Sequence, residues 1–121
     1  MVRRSYEKAL QRLWTGRCRV SVRKTRVNEE NGRNEPYEEV LFENEPCRLS
    51  FRTLAGTSDT DEAAQIEQVT KLFLAAGLEV PAGSKITVTQ AGETNSYCRS
   101  GKPAFYSCHQ EIILAPFERW A

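Results

Sequence analysis

Apolar and polar positions alternate in short runs, separated by polar or turn-forming breaks, and this pattern predicts strands. In Arg17 to Val27, Cys18, Val20 and Val22 fall on one side and Arg17, Arg19, Ser21 and Arg23 on the other. A polar stretch at 28–36 carries an Asn31-Gly32 turn, and Tyr37 to Phe42 returns as a second strand, so a long hairpin is expected. Glu43-Asn44-Glu45-Pro46 reads as a chain break. Cys47 to Arg52 follows as a third strand with Cys47, Leu49 and Phe51 inward. Val69 to Leu74 is short and apolar, and its spacing fits either a helix or a strand. A strand is expected, because a small sheet needs it to close.

A turn at 81–84 leads into Ile86 to Gln90, and a second turn falls at Ala91-Gly92-Glu93. A polar connection then leads to a last apolar run, Ala104 to Leu114, which places His109, Gln110 and Glu111 in the final strand. Helical spacing occurs at the start of the chain, where Tyr6, Leu10, Leu13 and Trp14 make one stripe over residues 3–14. Ser5 is a candidate cap and Gly16 a natural stop. The stripe either lies on the domain's own core or docks on a neighbouring subunit. Residues 53–67 are small, polar and acidic up to Ala64, with no apolar period, and read as a long mobile surface loop. Pro116, Phe117 and Trp120 form an aromatic tail that packs over the end of the sheet or meets a partner. The sum is one mainly β domain spanning 1–121, with six to seven strands in a sandwich or barrel.

Charge changes the picture little in bulk and more in detail. The formal net charge is +1, so no overall attraction for nucleic acid or membrane is expected. Basic residues crowd the first quarter, while acids gather at Glu29 to Glu45 and Asp59 to Glu67. That distribution fits complementary patches within a chain or between copies. Arg17, Arg19, Arg23, Arg48 and Arg52 are all expected to face outward. They could make a phosphate-binding face, or a solvated face paired with Glu38 and Glu39. No aromatic residue interleaves them, which favours the solvated face. No apolar run approaches the ~20 residues that span a bilayer, and the first residues lack the apolar segment of a secretory signal. A cytoplasmic protein with no membrane partner is therefore expected.

Catalytic and metal chemistry finds little foothold. The four cysteines, Cys18, Cys47, Cys98 and Cys108, show no C-x-x-C spacing, so free thiols are expected rather than disulfides or zinc. The single histidine, His109, neighbours Cys108, but adjacent strand residues point apart, which argues against a nucleophile–base pair. Asp59-Thr60-Asp61-Glu62 lacks the ligand spacing of a calcium loop. No phosphate-binding glycine motif occurs. No enzyme activity, cofactor or metal is expected.

The run PAGSKITVTQAGETNSYCRSGKPAFYSCHQEIIL (81–114) resembles the C-terminal half of a family of tailed-phage and prophage head–tail connector proteins, the head-closure or "stopper" proteins. The matching pieces are Val69 to Leu74, the turn into Ile86-Thr87-Val88-Thr89-Gln90, the turn at Gly92, and Ser100-Gly101-Lys102-Pro103 before Tyr106 to Glu111. The resemblance implies a small β-barrel subunit of a ring below the portal and its adaptor, closing the DNA-filled capsid and meeting tail proteins. It implies a long loop reaching the central channel, and the segment that fits is Thr57, Ser58, Asp59, Thr60, Asp61 and Glu62. An acidic lining would repel DNA at close range and let it slide without its sequence being read. For ring contacts between copies, Arg17, Arg19, Arg23, Arg48, Arg52, Glu38 and Glu39 are the candidates. The protein would reside in the host cytoplasm during assembly and then at the head–tail interface of the virion. A nucleic-acid-binding barrel using the arginine-rich face is the alternative.

Overall fold

The structure, a computed structural model, describes residues 8, 9, 11–55 and 66–120. Seven strands follow in order: β1 (Gly16–Val27), β2 (Asn34–Ala55), β3 (Ile66–Leu74), β4 (Lys85–Gln90), β5 (Glu93–Arg99), β6 (Ala104–Phe105) and β7 (Gln110–Pro116). All pairings are antiparallel. The sheet order is β3-β2-β1-β4-β5-β7-β6, and a further β3–β7 pairing joins the sheet back on itself. Six strands thus close a ring, with β6 continuing alongside β7 beyond the end of β5. Closure removes open edges over the paired stretches and turns one face of every strand inward.

The inward set follows alternation with two departures: Phe51, expected inward, is 55% exposed, and Ser21, expected outward, is 1% exposed where the β1–β2 register shifts. Cys18 and Val20 of β1, Ile86 and Val88 of β4, Leu72 and Leu74 of β3, and Ile112 and Leu114 of β7 form the buried core, joined by Cys47, Leu49 and Tyr97. Val80, from the β3–β4 connection, plugs into the same cluster. That connection is pinned from below by buried Gln110. Its Nε2 donates to the carbonyls of Ala75 and Leu78. Arg99 holds the Val80 carbonyl at 2.8 Å.

Several expectations need correction. The Glu43–Pro46 stretch does not end a strand; it lies within the 22-residue β2. The register shifts twice there, so Arg19 faces both Glu43 and Asn44, and Leu41 has no opposite residue. Asn44 takes φ 56°, a left-handed conformation that an amide side chain tolerates and that bends a bulged strand. The segment read as a polar connection contains β5, which pairs with β4 from Gln90↔Glu93 to Lys85↔Cys98. The two-residue turn between them, Ala91 (φ 54°) and Gly92 (φ 79°), has the paired positive φ values that match hairpin twist. The last apolar run is divided: His109 lies in the turn between β6 and β7, closed by Tyr106 N–H to the His109 carbonyl at 2.8 Å, while Gln110 and Glu111 are in β7.

The expected helix at 3–14 falls largely outside the described residues. Lys8, Ala9, Gln11 and Arg12 have helical backbone, and no helical element is complete among the described residues. Trp14 is 4% exposed and Leu13 73% exposed, so the described end of the stripe rests on the domain through the tryptophan alone. The aromatic tail packs on its own sheet. Phe117 N–H bonds the Ser96 carbonyl at 3.0 Å, Trp120 meets the Phe117 ring edge-on at 5.0 Å, and Lys85 stands over Phe117 at 5.2 Å.

Candidate functional site

Charged and aromatic side chains gather on the outer face of β2, β3 and β7. The register sets Arg48 opposite Phe73 and Ser50 opposite Lys71, with Phe73 opposite Glu111 and Lys71 opposite Ile113. The Arg48 guanidinium lies 5.8 Å from the Phe73 ring centre. The Phe73 ring is 5.9 Å from His109, and Tyr106 stacks on His109 at 4.9 Å and 10°. This row of rings exists because the β6–β7 turn folds Tyr106 and His109 back over the sheet beside Phe73.

Glu111 sits between a lysine and the histidine. Its carboxylate is 2.9 Å from His109 Nε2 and 3.0 Å from Lys71 Nζ. Burial pushes the Glu111 carboxyl up, but the hydrogen bonds from His109 and Lys71 outweigh it and hold the pKa below the ordinary value. Beside this group lies a cavity of about 220 Å³, lined by Ser50, Arg52, Val69, Lys71, Phe73 and Ile113. Such an arrangement can hold an anionic or aromatic group against a basic, ring-lined surface.

The expected arginine face divides. Arg17 and Arg19 border a shallow depression of about 300 Å³ with Thr87, Thr89 and Thr94 of the β4–β5 hairpin. Arg48 and Arg52 lie along β3, because β2 leaves β1 at Cys47 and pairs with β3 from there. Arg23 stands opposite Glu38 on the distal hairpin. Glu38 accepts from Ser21 Oγ at 2.6 Å and lies 4.0 Å from Lys85 Nζ, while Glu39 pairs with Lys24. The loop candidates Thr57, Ser58, Asp59, Thr60, Asp61 and Glu62 lie outside the described residues. The register places the flanking residues Ala55 and Ile66 opposite each other.

Lys71, Phe73, Tyr106 and Glu111 were not singled out by sequence reasoning. As a strand, Val69 to Leu74 puts Val69, Lys71 and Phe73 on one face. Only the pairing with β2 and β7 shows what stands beside them. All four cysteines are free thiols, with Cys18, Cys47 and Cys108 buried and Cys98 half-buried. Among the described residues, no cluster of three His, Cys, Asp or Glu side chains is arranged to hold a metal ion.

No family model matches the chain, and no curated protein matches it. Among solved structures, the fold is similar to that of the XkdH protein of the phage-like element PBSX from Bacillus subtilis. The likeness has a TM-score of 0.50 at 10% identity and covers 83% of this chain and 91% of that protein.

Proposed function

We propose that the protein is a structural subunit of a phage or prophage particle: a head-completion, head–tail joining protein that assembles as a ring, closes the DNA-filled capsid and connects it to the tail. The observation that carries this reading is the fold likeness to a phage-like element protein over 83% of this chain and 91% of that protein. The turn-and-strand motifs of residues 69–114, read from sequence, point the same way. In this reading the partners are further copies of the chain, the portal–adaptor complex and tail proteins, with DNA passing through the channel. No catalytic step is involved. In this reading the segment Thr57 to Glu62, which joins β2 to β3 in sequence, reaches the channel and helps retain DNA.

Two experiments test it. The gene should lie between those for the major capsid protein and the tail, and a position elsewhere would sink the assignment. Deleting 57–61 should leave the isolated chain folded, as judged by its circular dichroism and thermal transition, while particles carrying the deletion lose packaged DNA. Particles that retain DNA normally would remove the loop from the mechanism.

A second reading is favoured by one specific observation. Aromatic rings do interleave with basic residues on the outer face, in the order Arg48, Phe73, His109, Tyr106, with Arg52 and Lys71 alongside. A nucleic-acid-binding domain would use such a surface to stack bases and neutralise phosphates. Binding of single-stranded DNA that weakens steeply with salt, and is lost in Phe73→Ala, would favour it over the particle-assembly role.

A further inference from the structure

β1 and β2 extend well beyond the closed ring. β4 covers β1 only between Arg17 and Ser21, and β3 covers β2 only from Cys47 onward. Residues 22–27 and 34–41 therefore form a two-stranded ribbon in which, among the described residues, each strand has only the other as a partner. Both outer flanks present backbone N–H and C=O groups to solvent, which is a template for adding a strand. The ribbon also exposes Val27 (62%), Val40 (45%) and Leu41 (40%).

The two flanks differ in charge. β1 carries Arg23, Lys24 and Arg26, and β2 carries Glu35, Glu38 and Glu39. Two copies joined through like flanks would set cations against cations or acids against acids. Joining β1 of one copy to β2 of the next continues the alternation of basic and acidic strands and keeps the antiparallel sense. The ion pair between Lys24 and Glu39 inside each copy is undisturbed, since a strand's side chains contact neighbours on both flanks. Pro36 and the unpaired Leu41 bound the regular stretch of the β2 flank to Tyr37–Val40. That bound limits the register and the length of any added strand.

We propose that this ribbon is a strand-addition interface between copies of the chain, head to tail, with the free flank of β1 in one copy paired with the free flank of β2 in the next. A contact of this kind is heterologous and generates a ring or an open filament. It deepens the ring assembly proposed above and rests on that reading.

The test uses the full chain at low and high concentration. Hydrogen exchange at residues 22–27 should slow by roughly tenfold or more on going from dilute monomer to concentrated protein. In a Cys98→Ser background, single variants Arg23→Cys and Glu38→Cys are mixed and treated with a short bismaleimide. The mixed Arg23→Cys/Glu38→Cys cross-link should dominate over either like pair. Like-pair cross-links in excess would overturn the head-to-tail arrangement. Protection of 22–27 already present in dilute monomer would overturn the proposal, because another part of the same chain would then cover the edge. Oligomers in sedimentation without ribbon protection or cross-links would overturn the ribbon and leave ring assembly standing. A chain that stays monomeric throughout would count against both.

Discussion

The side-chain amide of Gln90 pairs with the backbone of Leu49 as a neighbouring strand would. Gln90 Oε1 accepts the Leu49 N–H at 2.9 Å, and Gln90 Nε2 donates to the Leu49 carbonyl at 3.3 Å. The relationship fills a gap, since β1 begins at Gly16, opposite Cys47, and among the described residues β2 runs on with no strand on that flank. Gln90→Ala should destabilise the fold by about 1–3 kcal/mol, because both polar groups of a mostly buried backbone unit lose their partners. Urea unfolding checks this. Unchanged stability would mean that solvent serves Leu49 equally well.

Gly16 belongs to the same junction. A Cβ placed there would meet the Cys47 carbonyl oxygen at 2.9 Å and Gln90 Oε1 at 3.0 Å. The first is backbone and cannot swing away. Gly16→Ala should therefore cost about 1–3 kcal/mol. It should couple to Gln90→Ala in a double-mutant cycle, since one substitution displaces the group that the other removes. Additive effects would separate the two positions.

Ile112 is fully buried at the centre of β7, opposite Leu72. Ile112→Ala should cost about 2–5 kcal/mol and lower the thermal midpoint. Ile113, the next residue, faces outward and is 38% exposed. Ile113→Ala should cost much less. Equal losses would contradict the assignment of faces.

Glu111 gives a pH dependence of definite sign. Its folded pKa lies below the ordinary 4.5, so its contribution to stability is present above pH 4.5 and is lost as pH falls through the folded value. The stability difference between wild type and Glu111→Gln should be largest near neutrality and shrink in acid. Denaturant titrations at several pH values measure it. A difference that grows in acid would reverse the assigned direction.

The thiols should separate by accessibility and by ionisation. The hydrogen bond to Cys47, together with burial, pushes the Cys18 pKa up, so Cys18 carries little thiolate at neutral pH. Half-buried Cys98 should react first with a maleimide in the native protein, and Cys18 only on unfolding. Mass spectrometry of timed samples reads the order. Early labelling of Cys18 would show that the β1–β2 junction opens readily.

Much of the strand pattern is local, and so it is legible in the chain. Period-two alternation separated Cys18 and Val20 from Arg17 and Arg19 in β1, because successive side chains in a strand must point to opposite faces, but it placed Ser21 outward, where the register shift instead buries it. Gly32 and Gly92 marked turns through glycine's freedom at positive φ, and both adopt it, at 69° and 79°. β5 escaped because only Tyr97 of its seven residues is buried, so it carries little apolar signal. The break at Glu43–Pro46 was a real irregularity of different meaning: in isolation, a bulge and a strand end share the same residues. The outer cluster was not legible, because Arg48, Phe73 and Glu111 are far apart in sequence and meet only through the β2–β3–β7 register. The amino-acid order alone determined most of the inward positions and where the chain can reverse. Tertiary structure decided which strands are neighbours, and therefore that Arg48 and Arg52 stand beside β3 rather than beside Arg17 and Arg19. Backbone pairing between distant segments depends on closing the ring around a shared core, and no local pattern encodes that closure.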